Sequence, residues 1–376
     1  MKILYILHTS ELHGSTISIL NLILNIKKEI DPIIIIPYSK ANPLKDVFIK
    51  NDIKFYTCRH IPISIIERNR NLVKNTLSIG RTIIKKILFI IFLFRIILKE
   101  KPNIIHTNVG VIYEGARLAN LFNIPHVWHL REYQDKDFKW SFFYGKKIFE
   151  NMLKRSYVIC ITNDIRNYFN LNNKKSQTIY NGIYHSYFTA LEKKDNYFLC
   201  ASRILPNKGH EEVIRTFALF YSSHPNWKLI IAGDGEVQYI SKLKDISKSL
   251  NCSNSVIFLG FKKSEAIFNL MKKSAGLIVA SLYEGFGRMT AEACFAGTIV
   301  IGRYTGGTKE ILDIINGYKF LTNDELLAAM DQISKEINTN SYNQKIKSSQ
   351  KVAQELFSIE QNATNIINLY KNITNK

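Results

Sequence analysis

The sequence predicts an α/β protein built from two doubly wound parallel sheets with a cleft between them. Three observations carry this prediction. The chain has 376 residues, which at ~150 residues per domain suggests two domains. Short apolar runs alternate with amphipathic segments along its whole length, the pattern of parallel strands covered by helices on both faces. A polar stretch at 191–196 separates two such series and reads as a linker.

The first series places buried strands at 3–7, 33–36, 103–106, 126–130 and 157–161. The opening run could pass for a signal start, but it is short, and His8, Glu11 and His13 follow at once, so it reads as the first strand. Between 83 and 98 the chain runs IIKKILFIIFLFRIIL, apolar nearly all round and broken by Lys85, Lys86 and Arg95. That is short of the ~20 apolar residues a spanning helix needs. Two readings stay open for it: a helix buried in the first domain, or one lying in a bilayer interface with its cations at the headgroups. The second series places strands at 197–201, 227–232, 256–259, 276–280 and 298–301. The expected domains are 1–190 and 191–352, with a final helix at 353–376 packing back on the first. Sheets of this kind bind ligands at the carboxyl ends of their strands.

Composition narrows the class. Apolar residues make up 46% and charged residues 22%, a globular balance that excludes a disordered, collagen-like or disulfide-scaffold chain. The net charge is +20, and residues 1–190 hold 28 of the 51 basic and 13 of the 31 acidic side chains, a net of +15 against +5 for the remainder. A positive field on one half suits a polyanionic partner there: membrane surface, nucleic acid or anionic substrate. The competing reading is a Lys-, Ile- and Asn-rich chain whose composition drifts basic. Cys58, Cys160, Cys200, Cys252 and Cys294 are odd in number and lack a CxxC pair, which fits a reducing cytosol rather than a disulfide or zinc framework.

The stretch most suited to chemistry is 281–293, SLYEGFGRMTAEA. It follows a buried strand and passes through Gly285 and Gly287 into a helix. The glycines allow a tight turn and close approach of a ligand. The amides from Arg288 and Met289 would then point outward at a helix N-terminus, where an anion is favoured. Glu284 and Glu292 border the same turn, and a carboxylate that accepts two hydrogen bonds suits sugar hydroxyls.

This stretch resembles the E-x7-E signature of the retaining GT-B glycosyltransferases of family four, the glycosyl transferases group 1. Four further segments resemble that family in order: Ser202-Arg203-Ile204-Leu205-Pro206-Asn207-Lys208-Gly209, Gly233-Asp234-Gly235, Val256-Ile257-Phe258-Leu259-Gly260 and Gly306-Gly307-Thr308-Lys309-Glu310. Together they cover roughly 197–315. The resemblance implies two Rossmann-like domains facing a central cleft, the first for the acceptor and the second for the nucleotide sugar. It implies that Arg203 and Lys208 neutralise the donor diphosphate, Arg by its fork of donors and Lys as a point charge. Glu292 matches the acid on the ribose hydroxyls and Glu284 the acid near the transferred sugar. Gly233 and Gly235 would let the chain pass close to the nucleotide, and the amides of Gly287, Arg288 and Met289 would face the leaving group.

In the first half, Gly14 matches one glycine of the family's diphosphate loop, and His13 replaces the other. A Cβ at His13 narrows the approach. His129 matches a histidine that lines the donor-sugar pocket. Asn108 stands where the family's H-x-H strand end has its second histidine, after His106, and Tyr184 replaces the acid of the family's N-G-I/V-D turn at Asn181-Gly182-Ile183; both read as packing positions. Asp135-Lys136-Asp137 reads as a solvated loop rather than a metal pair.

The activity implied is transfer of a sugar from a UDP- or GDP-sugar to a hydroxyl of a saccharide or lipid-linked saccharide, with retention and without metal or cofactor. The expected setting is bacterial surface polysaccharide synthesis in the cytoplasm, in peripheral contact with the anionic inner membrane face. Two rivals differ in class. A sugar-nucleotide epimerase shares the fold type, but the E-x7-E arrangement speaks against it. A non-enzymatic basic nucleic-acid binder has charge in its favour but no recognition motif.

Overall fold

The computed structural model describes residues 1–12, 14–67, 72–136, 140–186 and 193–375. The chain divides into two compact units, Met1–Gly182 with Ile359–Lys376, and Ile183–Ser358. Part of the expected linker, 191 and 192, lies outside the described residues, as do His13 and Asp137.

In the first unit a seven-stranded parallel sheet runs Lys54–Cys58, Asp31–Pro37, Lys2–Ile6, Ile104–Thr107, His126–Leu130, Tyr157–Cys160, Ser176–Thr178. Its central strands are continuous apolar runs because both faces are covered. Alternate side chains serve opposite faces. Ile3 and Tyr5 pack with Ile19, Ile23, Ile366 and Tyr370, from helices Gly14–Ile26 and Ile359–Thr374. Leu4 and Ile6 pack with Phe89, Leu93 and Ile97 of the long helix Leu72–Glu100. The segment 83–98 therefore has one face in the core. Lys86 belongs to that face: its Nζ donates to Glu114 Oε1 at 2.8 Å and to Ser64 Oγ at 2.6 Å. The rings of Tyr113, Phe143 and Tyr144 surround it at 5.0, 4.9 and 5.0 Å. The opposite face of the helix is exposed. Among the described residues no helix is long and apolar enough to cross a membrane.

The second unit has a six-stranded parallel sheet, ordered Val256–Gly260, Lys228–Ala232, Asp195–Ala201, Ser274–Val279, Val300–Arg303, Tyr318–Phe320. Its core gathers Phe198, Leu229, Ile231, Ile278 and Ile301 from the strands with Val213, Phe217 and Ile333 from the helices. Two boundaries differ from the expected ones. The chain leaves the first unit after Gly182 rather than 190, and returns to it at Ile359 rather than 353. Residues 340–357 form one helix, and Tyr342, Ile346, Ala353 and Phe357 on it are buried, so a break at 353 would split a packed face. The extended Ser358 ends it, and the last helix then joins the first unit's core.

Candidate active site

The second unit's sheet reverses its winding between Asp195–Ala201 and Ser274–Val279, which are neighbours in space. Loops leaving their carboxyl ends in opposite directions open a crevice at such a point, where ligands bind in doubly wound sheets. The loop after the first strand carries Arg203 and Lys208, and the loop after the second carries Glu284 and Gly287. Lys208 Nζ donates to Glu284 Oε1 at 2.6 Å, both side chains being about a quarter exposed or less (21% and 25%). Leu282 N donates to Asn207 O at 3.0 Å, so backbone as well as side chains join the two loops. Arg203 is exposed, and its side chain makes no hydrogen bond or ion pair with the described residues.

Gly287 caps helix Arg288–Ala296 with φ of 82°, and a Cβ there would stand 3.0 Å from Thr308 Oγ1. This left-handed residue lets the chain turn into the helix with its first amides free of the preceding loop. The helix is buried through seven of its nine residues, Glu292 among them. Arg288 Nε donates to Glu292 Oε1 at 2.7 Å and so compensates the buried carboxylate. Arg288 Nη1, Thr290 Oγ1 and Thr308 Oγ1 are buried without a partner. A buried polar group left unpaired costs about 1–3 kcal/mol, so this helix start holds unused hydrogen-bonding capacity. The two threonines were not singled out from sequence; only their places beside the E-x7-E and Gly-Gly segments hint at them.

Gly233 and Gly235 have a partner within the chain. A Cβ on Gly233 would come within 1.8 Å of Ser202 O, and one on Gly235 within 2.3 Å of Ile204 O. Ile204 N donates to Asp234 O at 2.7 Å across this contact. The glycines therefore seat the segment that carries Arg203. Tyr184 packs edge-on against Phe268 and Phe295, at 5.1 and 5.6 Å between centroids, so an aromatic fills that position.

Two candidates lie in the first unit. Gly14 opens its helix in an exposed position, and a Cβ there meets nothing within 4 Å, so packing alone does not require a glycine. His129 is buried at the end of His126–Leu130, and its Nδ1 lies 3.3 Å from Arg131 Nη2. Burial first, then the charge of Arg131, holds its pKa well below the usual imidazole value. A guanidinium only donates, so Nδ1 accepts and the proton of the neutral ring sits on Nε2, which has no partner. Arg131 is itself held by Asn108 Oδ1 at 2.7 Å and Asn181 Oδ1 at 2.6 Å. Asn108, read from sequence as a packing position, and Asn181 thus orient the arginine that orients His129. Asp135 accepts from Tyr168 Oη at 2.6 Å, and its sequence neighbour Asp137 lies outside the described residues.

Residues 187–352 match the family described as Glycosyl transferases group 1. An uncharacterized glycosyltransferase of Methanocaldococcus jannaschii is 29% identical over 221 residues, 54% of this chain and 55% of that protein. The O-antigen chain mannosyltransferase of Salmonella typhimurium is 27% identical over 198 residues, 50% of this chain and 52% of that protein. The chain thus matches these two relatives over about half their length. The crystal structure of Anabaena HepE in complex with UDP superposes with a TM-score of 0.79 at 18% identity, covering 99% of this chain and 100% of that one. The chain thus has the GT-B fold of two Rossmann-like domains, and its similarity to the glycosyl transferases group 1 family lies within residues 187–352.

Proposed function

We propose that the chain is a retaining glycosyltransferase that moves a sugar from a UDP- or GDP-sugar to a hydroxyl of a saccharide or lipid-linked saccharide, in bacterial surface polysaccharide assembly. It works without metal or cofactor, in the cytoplasm at the inner face of the membrane. The observation that carries the reading is the Lys208–Glu284 pair at the switch point of the second unit's sheet. The complex of HepE with UDP and the sugar-transferring role of the Salmonella relative support it.

As the glycosidic bond breaks, negative charge grows on the departing diphosphate. An ammonium has three donors, so Lys208 can keep Glu284 on one and turn the others to phosphate. Arg203 adds a second cation and the start of helix Arg288–Ala296 adds amides, an arrangement of fixed donors that is often the largest catalytic contribution. Glu292 takes the ribose hydroxyls. His129 offers its Nε2 proton to a donor-sugar hydroxyl. The acceptor attacks from the face the leaving group vacates, and the phosphate takes its proton.

Thermal unfolding with UDP, GDP and their sugars tests the donor site, since a ligand at ~100 times its dissociation constant adds about 2.7 kcal/mol. One nucleotide should stabilise the protein, and Arg203→Ala should abolish the effect. Product anomers read by proton NMR should match the donor; inversion would end the retaining reading. Conversion of the donor to an epimeric sugar nucleotide without acceptor would replace transfer with epimerisation. No stabilisation by any nucleotide would remove the donor site.

A further inference from the structure

The outward side of helix Leu72–Glu100 is built unlike a solvated surface. Ile84, Ile87, Ile91, Phe94 and Leu98 are between 39% and 60% exposed. At about 100° per residue these five form one row, about 150° around the helix from the buried row of Lys86, Phe89, Leu93, Ile96 and Ile97. Arg81, Lys85, Arg95 and Lys99 form a second row, about 100° from the apolar one, and all four are exposed. No acid occurs between 72 and 99, and Arg81, Lys85 and Arg95 make no ion pair with the described residues. At 1.5 Å per residue the apolar row, 84–98, is about 21 Å long and the basic row, 81–99, about 27 Å.

We propose that this face docks the first unit on an anionic lipid surface, the helix lying parallel to it with the apolar row among the acyl chains and the basic row at the headgroups. An apolar row beside a cationic one, on a helix too charged to span a bilayer, is the pattern of an interfacial helix. Charge selects the occupant. A second copy would bring basic row to basic row with no acid on the face to pair with, whereas anionic headgroups neutralise all four cations. The core side needs nothing from the lipid: Phe89 and Leu93 are already packed on the sheet. The docking stands on the first unit's surface alone and goes beyond the transfer reaction, so either can fail without the other.

The test uses the full chain and vesicles of phosphatidylcholine, alone or with about a third phosphatidylglycerol. The chain should sediment with the anionic vesicles and be released as salt rises. Each cation near such a surface contributes about fivefold in binding, so Arg81→Gln/Lys85→Gln/Arg95→Gln should weaken it about a hundredfold. Ile87→Ser/Ile91→Ser should abolish it, and unfolding temperatures check that these exposed changes leave the fold intact. All five native cysteines are buried, so Ile91→Cys takes a polarity-sensitive dye selectively, and its emission should shift blue on anionic vesicles. Failure to bind those vesicles overturns the proposal, as does binding that survives Ile87→Ser/Ile91→Ser. A dimer that the same double variant dissociates would instead assign the face to a second copy.

Discussion

Lys208→Met separates a catalytic cation from a structural one, because the two roles differ in size. The ion pair with Glu284 at 2.6 Å is partly solvated, with side-chain exposures of 21% and 25%, so its contribution to stability is about 1 kcal/mol or less. In a unit of this size that is a fall in Tm of about 2–4 °C. If Lys208 faces the leaving diphosphate, the same substitution removes a donor aimed at developing charge, worth about 100- to 1000-fold in kcat, or about 2.7–4 kcal/mol. Unfolding temperature and transfer rate should be measured on one preparation, together with Glu284→Gln and the double variant. The expected result is a small change in Tm with a large loss of rate. A Lys208→Met protein that transfers sugar at the wild-type rate would refute the argument. So would one that loses several kcal/mol of stability, since the pair would then be a structural strut.

Three further outcomes follow from the geometry. Gly233→Ala forces a Cβ to within 1.8 Å of Ser202 O; unfolding in denaturant should show about 1–3 kcal/mol of destabilisation, with nucleotide binding weakened because the segment bearing Arg203 shifts. Lys86→Met strands the fully buried Glu114 carboxylate and should cost about 3–5 kcal/mol, whereas adding Glu114→Gln should recover much of it in the same measurement. His126, bonded to Thr107 and Ser156, has its pKa lowered by burial to about 3, and His106 and His129 are also held low by burial. The unfolded chain takes up these protons near pH 6.5, so the stability they contribute is complete above that pH and lost as pH falls toward the folded values, at about 1.4 kcal/mol per unit for each. Unfolding followed from pH 7 to pH 4 should show this slope, reduced by one histidine in His126→Gln.

The fold was legible wherever both faces of a strand are covered. The isoleucine run at 33–36 reads as a doubly buried strand, the five apolar segments of the first series mark the middle of its sheet, and those of the second mark its four inner strands and the edge Val256–Gly260. The strands Lys54–Cys58, Ser176–Thr178 and Tyr318–Phe320 left no such mark. They are edges with one neighbour each, and an edge need not be apolar on both sides. In the site, Lys208 and Glu284 were readable as separate members of two motifs. That one donates to the other depends on the sheet's strand order, which no local pattern encodes.

By itself the sequence determined two parallel-sheet units, the glycine-turned helix start at 287 and the two acids around it, because strand burial and turn chemistry are local properties. Tertiary structure decided the rest. It turned Gly233 and Gly235 into the seat of Arg203's segment, and it made Asn108 and Asn181 the supports of Arg131. It also divided the apolar helix into a core face holding Lys86 and an exposed face flanked by cations. These outcomes rest on contacts between residues tens of positions apart, and such contacts exist only once the strands have taken their order.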